Sequence, residues 1–181
     1  DDTLKKDNIF YLTPLSKKNY IKANILPFSN NKHIAPYPIY VIQGALVPER
    51  RDINLLLQIL NDKSLTDVNF KIKILGSDIS PLINNCINSD KLIIKKKLNF
   101  IDYHKEFKDV FCIITLTSIS NNPQYYKNKL TSSINYAEGY NLKCLIDSNL
   151  QSIYNLKDAY IYNNKDEFNN IFKKTLIDFN S

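Results

Sequence analysis

Two lysines followed by a run of hydroxyl residues have the composition of a phosphate-binding site. Lys127 and Lys129 precede Thr131, Ser132 and Ser133, which form the predicted first turn of a helix. Hydroxyl side chains cap helix starts, and the unpaired N–H groups of a first turn attract anions. The segment therefore predicts a site where the two lysines and the helix start bind a diphosphate.

The same helix also has a purely structural interpretation. Its apolar side chains are spaced to face a core, and a glycine follows as a C-terminal stop, the residues concerned being Leu130, Ile134, Ala137 and Gly139. The spacing alone does not separate an anion site from a plain amphipathic helix. The surrounding elements have to decide between them.

Hydrophobic patterning predicts those elements. Residues 1–38 are rich in proline and keep no apolar period, which predicts a linker that wraps the domain. From Ile39 onward, short β-branched runs alternate with helical stripes, a pattern typical of βαβ units. Residues 39–181 are therefore predicted to form one α/β domain, a Rossmann-like parallel sheet of about six strands with helices on both faces.

The predicted strands cover residues 39–43, 70–75, roughly 92–100, 111–116, 143–146 and the neighbourhood of Tyr160. The run 111–116 is almost entirely apolar, which indicates a central strand covered on both faces. Helices are predicted over 53–60, near Pro81 to Cys86, over 102–110, after Lys129, over 148–154, and from the cap Asn164 to about residue 179.

In such sheets, ligands bind where the loops at the carboxyl ends of the strands converge. The loop after strand one, residues 44–52, contains the adjacent cations Arg50 and Arg51. The segment 117–129 after strand four contains Lys127 and Lys129. Two cationic loops at one crevice predict an anionic ligand, because Arg and Lys side chains together can clamp a diphosphate.

Charge and cysteine content narrow the classes of function. The formal net charge is +6, and the excess lies in residues 1–100, which carry 15 Lys or Arg against 9 acids. Such an excess attracts phosphate esters or nucleic acid, but Lys95, Lys96 and Lys97 fit an edge strand or its end, which argues against nucleic acid as a partner. Three cysteines without C-x-x-C spacing predict buried, reduced thiols and favour a reducing compartment such as the cytoplasm. No apolar run is long enough to span a membrane.

Four segments together carry a family resemblance. They are the strand and glycine turn 39–44 followed by Arg50-Arg51, the strand ending at Gly76, the loop 100–103, and the segment YKNKLTSS at 126–133 followed by KCLID at 143–147. The last segment is the most specific of the four. From about Ile39 to Phe179 the chain resembles the C-terminal, donor-binding half of a divergent GT-B glycosyltransferase.

The resemblance implies that the domain binds a UDP- or GDP-linked sugar for transfer of a glycosyl group to an acceptor, without a metal or other cofactor. It implies phosphate contacts from Arg50, Arg51, Lys127, Lys129, Thr131, Ser132 and Ser133. Weaker candidates for the base or the sugar are Gly44, Gly76, Phe100, Tyr103 and Thr117. The family architecture also implies a second, N-terminal glycosyltransferase domain, and a sequence that begins at Asp1 without methionine fits a fragment. The catalytic residues are not assigned.

Two other functions remain open. Many retaining GT-B enzymes carry two glutamates seven residues apart around this helix, whereas this chain has only Glu138 there. That departure favours a catalytically inactive, glycosyltransferase-like binding module. A basic nucleic-acid interaction domain is the third alternative, although it would place aromatic residues between lysines on a sheet face, and this chain concentrates them in loops.

Overall fold

The computed structural model describes Leu15 and residues 35–181. The predicted linker over residues 1–38 therefore lies outside the described residues except for Leu15 and residues 35–38. From residue 39 onward the chain forms an α/β domain. Within the described residues, no helix has both the length and the apolar character that a membrane crossing requires.

Six parallel strands form a single sheet in the order β3-β2-β1-β4-β5-β6. The strands are β1 Ile39–Gln43, β2 Lys71–Leu75, β3 Leu92–Lys95, β4 Cys112–Ile114, β5 Lys143–Asp147 and β6 Ala159–Tyr162. This confirms the predicted parallel sheet and the central position of the strand within residues 111–116. The order reverses between β1 and β4, so the topological switch point lies between these two strands.

Helices cover both faces of the sheet, as predicted. They are α1 Ile53–Leu60, α2 Phe100–Lys105, α3 Gln124–Lys127, α4 Ser132–Tyr140, α5 Ser148–Tyr154 and α6 Lys165–Phe179. The apolar side chains of α1 and α6 pack with Tyr40 and Ile42 of β1 in one core. Those of α4 and α5 pack with Val41 in the core on the opposite face. Alternate residues of one strand thus serve two cores, because successive side chains of a strand point to opposite faces.

The last helix is fixed at its start and along its buried side. The Asn164 side chain accepts hydrogen bonds from the backbone N–H groups of Asp166 and Glu167, so the predicted cap is confirmed. Farther along, Thr175 is buried and its hydroxyl lies 2.6 Å from the hydroxyl of Tyr40 in β1. The helix therefore closes one face of the sheet with a polar contact inside an otherwise apolar core.

Several predicted boundaries were wrong. The segment near Pro81 to Cys86 contains only a short 3-10 turn, Pro81–Ile83, and Leu82 within it is 60% exposed. A helix there would bury too few side chains to be stable. The third strand ends at Lys95 because Lys97 adopts a left-handed conformation, after which the Asn99 side chain caps α2 at Phe100.

The end of α4 also differs from the prediction. Gly139 lies inside the helix, and the chain turns at Asn141, which has a φ of 51°. The N–H groups of Asn141 and Leu142 donate to the carbonyl groups of Glu138 and Ala137, the pattern of a Schellman motif. Leu130 precedes the helix and is 43% exposed, so it does not belong to the core face.

The three cysteines, Cys86, Cys112 and Cys144, are free thiols and all are buried. Cys112 and Cys144 lie on the neighbouring central strands β4 and β5. Burial raises the pKa of the Cys112 thiol well above its ordinary value and raises the pKa of Cys144 to about 12. Both thiols are therefore protonated and unreactive in the folded protein.

Candidate functional site

The loops that follow β1 and β4 lie in contact at the carboxyl edge of the sheet. The backbone N–H of Asp52 donates to the carbonyl oxygen of Leu116 at 2.7 Å. The Gln124 side chain donates to the carbonyl oxygen of Glu49 at 3.1 Å. The switch point thus brings together the two segments that carry the cationic residues, as expected for loops at the carboxyl ends of adjacent strands.

Arg51 is a buried cation at the end of β1. Only 5% of the residue is exposed, and its two terminal nitrogens donate to the carbonyl oxygens of Gln43 and Arg50 at 2.6 and 2.8 Å. Burial lowers the pKa of Arg51, an effect that the neighbouring Tyr125 opposes. A guanidinium group stays charged nonetheless. No carboxylate among the described residues forms an ion pair with it, so its charge is not neutralised locally.

Tyr125 in α3 lies beside this arginine and beside Lys129, which precedes α4. The guanidinium carbon of Arg51 lies 5.9 Å from the centroid of the Tyr125 ring, and Nζ of Lys129 lies 5.3 Å from it. The structure therefore places Arg51 and Lys129 beside the same ring. Arg50 and Lys127 are exposed on the two loops, with Lys127 at the end of α3.

The start of α4 has hydroxyl groups that the fold does not use. Thr131 is the N-cap residue, but its side chain does not cap the helix, contrary to the capping role expected of it. The hydroxyl oxygens of Thr131 and Ser133 are buried and have no hydrogen-bond partner among the described residues. Ser132 between them is exposed. Buried polar atoms are nearly always hydrogen-bonded, so these hydroxyls retain capacity for a ligand or for water.

The two glycines among the weaker candidates have structural reasons to be present. Gly44 has a φ of +81°, which favours glycine. Gly76 lies so close to β1 that a Cβ atom there would be 2.1 Å from the carbonyl oxygen of Gly44. Both residues therefore shape the carboxyl edge, whether or not a ligand contacts them.

The aromatic candidates Phe100 and Tyr103 differ in exposure. Phe100, the first residue of α2, is 77% exposed. Tyr103 is half-buried, its hydroxyl accepts a 2.8 Å hydrogen bond from the Gln43 side chain, and its ring packs on Phe107 and Tyr136. Burial raises the pKa of Tyr103 to about 12. Tyr103 is thus held by its own domain, whereas the largely exposed ring of Phe100 packs only against His104 among the ring contacts of the described residues, at 4.4 Å between centroids.

A buried carboxylate at this edge was missed in the sequence. Asp52 is completely buried, and its Oδ2 lies 2.8 Å from the hydroxyl of Ser118 and 2.8 Å from Nζ of Lys165. It therefore joins the loops after β1, β4 and β6. Its position before a helical stripe suggests only an N-cap, but its side chain does not cap α1.

A second acidic side chain, that of Asp147, lies at the end of the neighbouring strand β5. Asp147 caps α5 through Oδ1, and its Oδ2 accepts a 2.6 Å hydrogen bond from the hydroxyl of Tyr126. Burial, together with this contact, raises the pKa of Tyr126. Thr117, another of the weaker candidates, is fully buried between these groups, and its carbonyl oxygen accepts from the Tyr162 hydroxyl at 3.0 Å.

Leu116, in the loop after β4, has an unusual backbone conformation. This leucine is fully buried and has a φ of 48°, a left-handed conformation that bulky residues rarely adopt. Such outliers concentrate at functional sites, where the surrounding structure maintains them. Here the hydrogen bond from Asp52 contributes to that restraint.

A cavity of about 390 Å³ lies elsewhere, at the amino-terminal edge of the sheet, with Phe111, Lys143 and Asp178 among its lining residues. It shares no residue with the candidate phosphate site, which consists of Arg50, Arg51, Lys127, Lys129 and the start of α4. Within the described part of the chain, no three His, Cys, Asp or Glu side chains come together as a metal-holding group. The carboxyl edge offers cations, hydroxyls and a helix start, together with the carboxylates of Asp52 and Asp147.

A scan against models of protein families finds no match for this sequence. A search of the curated proteins likewise finds no significant relative. The function is therefore argued from the residues at the carboxyl edge of the sheet between β1 and β4 and from the motifs in the sequence.

Proposed function

We propose that the domain binds a nucleoside diphosphate sugar at the carboxyl edge between β1 and β4, as the donor-binding half of a GT-B-type glycosyltransferase. One observation carries the proposal. Arg51 from the loop after β1 and Lys129 from the segment before α4 lie at the same tyrosine ring, next to a helix start with unused hydroxyls. Cations from two separate loops meeting at a switch point favour an anionic ligand.

The accessible and the buried cations have different roles in this proposal. Arg50 and Lys129 are exposed and supply direct contacts to phosphate oxygens. Arg51 is too deeply buried to be a main contact, but its charge raises the positive potential of the crevice. The N–H groups and hydroxyls at the start of α4 add hydrogen-bond donors.

This arrangement would assist transfer by stabilising the leaving group. When the bond between the sugar and the diphosphate breaks, the electron pair of that bond stays on the diphosphate oxygen and negative charge increases there. Preorganised cations and N–H donors stabilise developing charge because they need no reorganisation during the reaction. In this proposal, a second domain supplies the binding site for the acceptor and the base that activates it.

An inactive binding module is the second candidate, and the position of Glu138 favours it. This glutamate lies in the last turn of α4, at the end of the helix opposite to the candidate phosphate site. It therefore cannot stand in for the glutamates that hold the donor in many retaining GT-B enzymes. A domain of this kind would bind the nucleotide sugar without turnover.

Nucleotide binding tests the proposal directly. UDP or GDP at millimolar concentration should raise the melting temperature of the domain, and the corresponding monophosphates should raise it less. Lys129→Ala should weaken nucleotide binding by about 1.5–3 kcal/mol, because it removes a charge-assisted contact. Lys127→Ala should have the smaller effect, since Lys127 lies at the end of α3 rather than beside the Tyr125 ring.

Ile134→Ala provides the matched control on α4. Ile134 is 1% exposed in the core, so its truncation should destabilise the domain by about 2–4 kcal/mol without changing nucleotide affinity well below the melting temperature. The proposal fails if neither nucleotide shifts the melting curve of the parent protein, or if Lys129→Ala binds nucleotide like the parent.

A further inference from the structure

The Tyr125 ring occupies a fixed position between the two cationic segments. Tyr125 is 5% exposed and belongs to the single-turn helix α3. The side chains of Asn122 and Gln124 donate to the carbonyl oxygens of Pro48 and Glu49, which ties α3 to the loop after β1. These contacts anchor α3, and the Tyr125 side chain additionally interacts with Arg51.

Lys129 is brought back over this ring by its own backbone. Its N–H donates to the carbonyl oxygen of Gln124 at 2.8 Å, so the chain folds tightly after α3. This turn places Nζ of Lys129 at 5.3 Å from the ring centroid. Without such a contact, an exposed lysine side chain samples many rotamers, and ordering it on ligand binding costs conformational entropy.

The ring attracts both of its cationic neighbours. The face of an aromatic ring is electronegative, and a cation within about 6 Å of its centroid is attracted to it. Arg51 and Lys129 both satisfy that distance. No carboxylate among the described residues forms an ion pair with either cation. The ring therefore adds to the carbonyl oxygens of Gln43 and Arg50, which already accept from Arg51, in stabilising the two charges.

We propose that Tyr125 is a positioning residue whose ring holds Lys129 and Arg51 together, so that both charges act on one bound diphosphate. The inference rests on the proposed function and adds to it a residue that does not itself need to contact the ligand. It assigns the positioning effect to the aromatic face, and the contact of the Tyr125 hydroxyl with Arg51 is tested separately.

Substitutions of Tyr125 separate the ring from the hydroxyl. The probes are UDP and inorganic pyrophosphate, with inorganic phosphate for comparison, and affinity is measured by titration calorimetry. Tyr125→Phe retains the ring and should bind both diphosphates within about threefold of the parent. Tyr125→Leu removes the ring and should lose about tenfold or more in affinity for both. Phosphate binding should change less, because one phosphate engages fewer charges.

A graded series guards against misfolding of the leucine variant. Phenylalanine with one, two or three ring fluorines at position 125 keeps the shape of the side chain while weakening the negative face of the ring. Affinity for pyrophosphate should fall stepwise along this series, with the melting temperature of the unliganded protein unchanged. A purely structural tyrosine would give no such trend.

The outcomes distinguish this inference from the proposed function. If the parent binds neither UDP nor pyrophosphate, the proposed function fails and the inference fails with it. If the parent binds both but the fluorinated series and folded Tyr125→Leu bind equally well, only the role of the ring is overturned. Loss of binding in Tyr125→Phe would assign the effect to the hydroxyl and would also overturn it.

Discussion

The carbonyl oxygen of Gly44 occupies the space where a side chain on Gly76 would begin, since a Cβ atom at Gly76 would lie 2.1 Å from it. The backbone N–H of Gly44 also donates to the carbonyl oxygen of Leu75 at 2.9 Å. The ends of β1 and β2 therefore approach each other more closely than any side chain at position 76 allows. This contact sets the position of the loop that carries Arg50 and Arg51.

Gly76→Ala should consequently destabilise the domain by about 2–4 kcal/mol, because the obstructing atom belongs to the backbone and cannot rotate away. The measurement is urea denaturation followed by circular dichroism. Gly44→Ala is the matched control, and it should cost only about 1–2 kcal/mol for its left-handed backbone. Equal losses in the two variants would contradict the close approach.

Lys73 should contribute more to stability than a lysine in a surface ion pair. It is 7% exposed, and its Nζ lies 2.6 Å from Asp109 and 3.2 Å from Glu106. Lys73→Met leaves two partly buried acids without their shared cation and should cost about 2–4 kcal/mol of unfolding free energy. Lys105→Met, which breaks the exposed pair with Asp102, should cost less than about 0.5 kcal/mol. Similar denaturation midpoints for both variants would refute the difference.

Asp62 should make the domain sensitive to acid. Burial alone would raise the pKa of this carboxyl, but hydrogen bonds from Lys173, Ser64 and Asn169 outweigh burial and lower its pKa. The folded state therefore binds this proton more weakly than the unfolded state, whose Asp pKa is about 4. The resulting stabilisation is complete above about pH 4 and is lost as the pH falls towards the lower folded pKa.

Melting temperatures of the parent and Asp62→Asn between pH 7 and pH 2.5 test this expectation. The parent should be the more stable at neutral pH, and its advantage should shrink as the pH falls. An advantage that is constant over the whole range would show that the Asp62 charge does not contribute.

Asn141 should be replaceable by glycine but not by alanine. Its φ of 51° at the end of α4 is a conformation that glycine adopts freely and alanine does not. Asn141→Gly should therefore be more stable than Asn141→Ala by about 1 kcal/mol, since both remove the same side chain and only glycine adopts this backbone without strain. Thermal unfolding of the three proteins decides the matter, and a more stable alanine variant would exclude a left-handed turn at this residue.

The sheet could be predicted from the sequence because its strands are short runs rich in β-branched, aliphatic and aromatic residues. All five residues of β1 are buried, as its sequence IYVIQ suggests for four of them. The first and last residues of the helices were harder to predict, because they depend on single residues. Lys97 and Asn141 turn the chain in left-handed conformations, although lysine gives no hint of this in a sequence. Only the folded neighbourhood selects such conformations.

The candidate site was predictable in its charges and not in its contacts. The sequence indicated Arg50, Arg51, Lys127 and Lys129 together, because cations near helix starts suggest anion binding, and did not separate Arg51 and Lys129 from the other two. The meeting of Arg51 and Lys129 at Tyr125 could not be predicted, because α3 is a single turn with no apolar period that would mark it as a helix. The ion pair between buried Asp52 and Lys165 could likewise not be predicted, because the two residues are far apart in the sequence.

The buried thiols give the protein internal reporters of its own opening. A thiol reagent reaches Cys112 and Cys144 only when the central strands separate, whereas Cys86 lies in the short connection between β2 and β3. Regions of one domain open with different free energies. The labelling rates of these cysteines would therefore distinguish local fraying beside the edge strand from global unfolding, without any label being introduced.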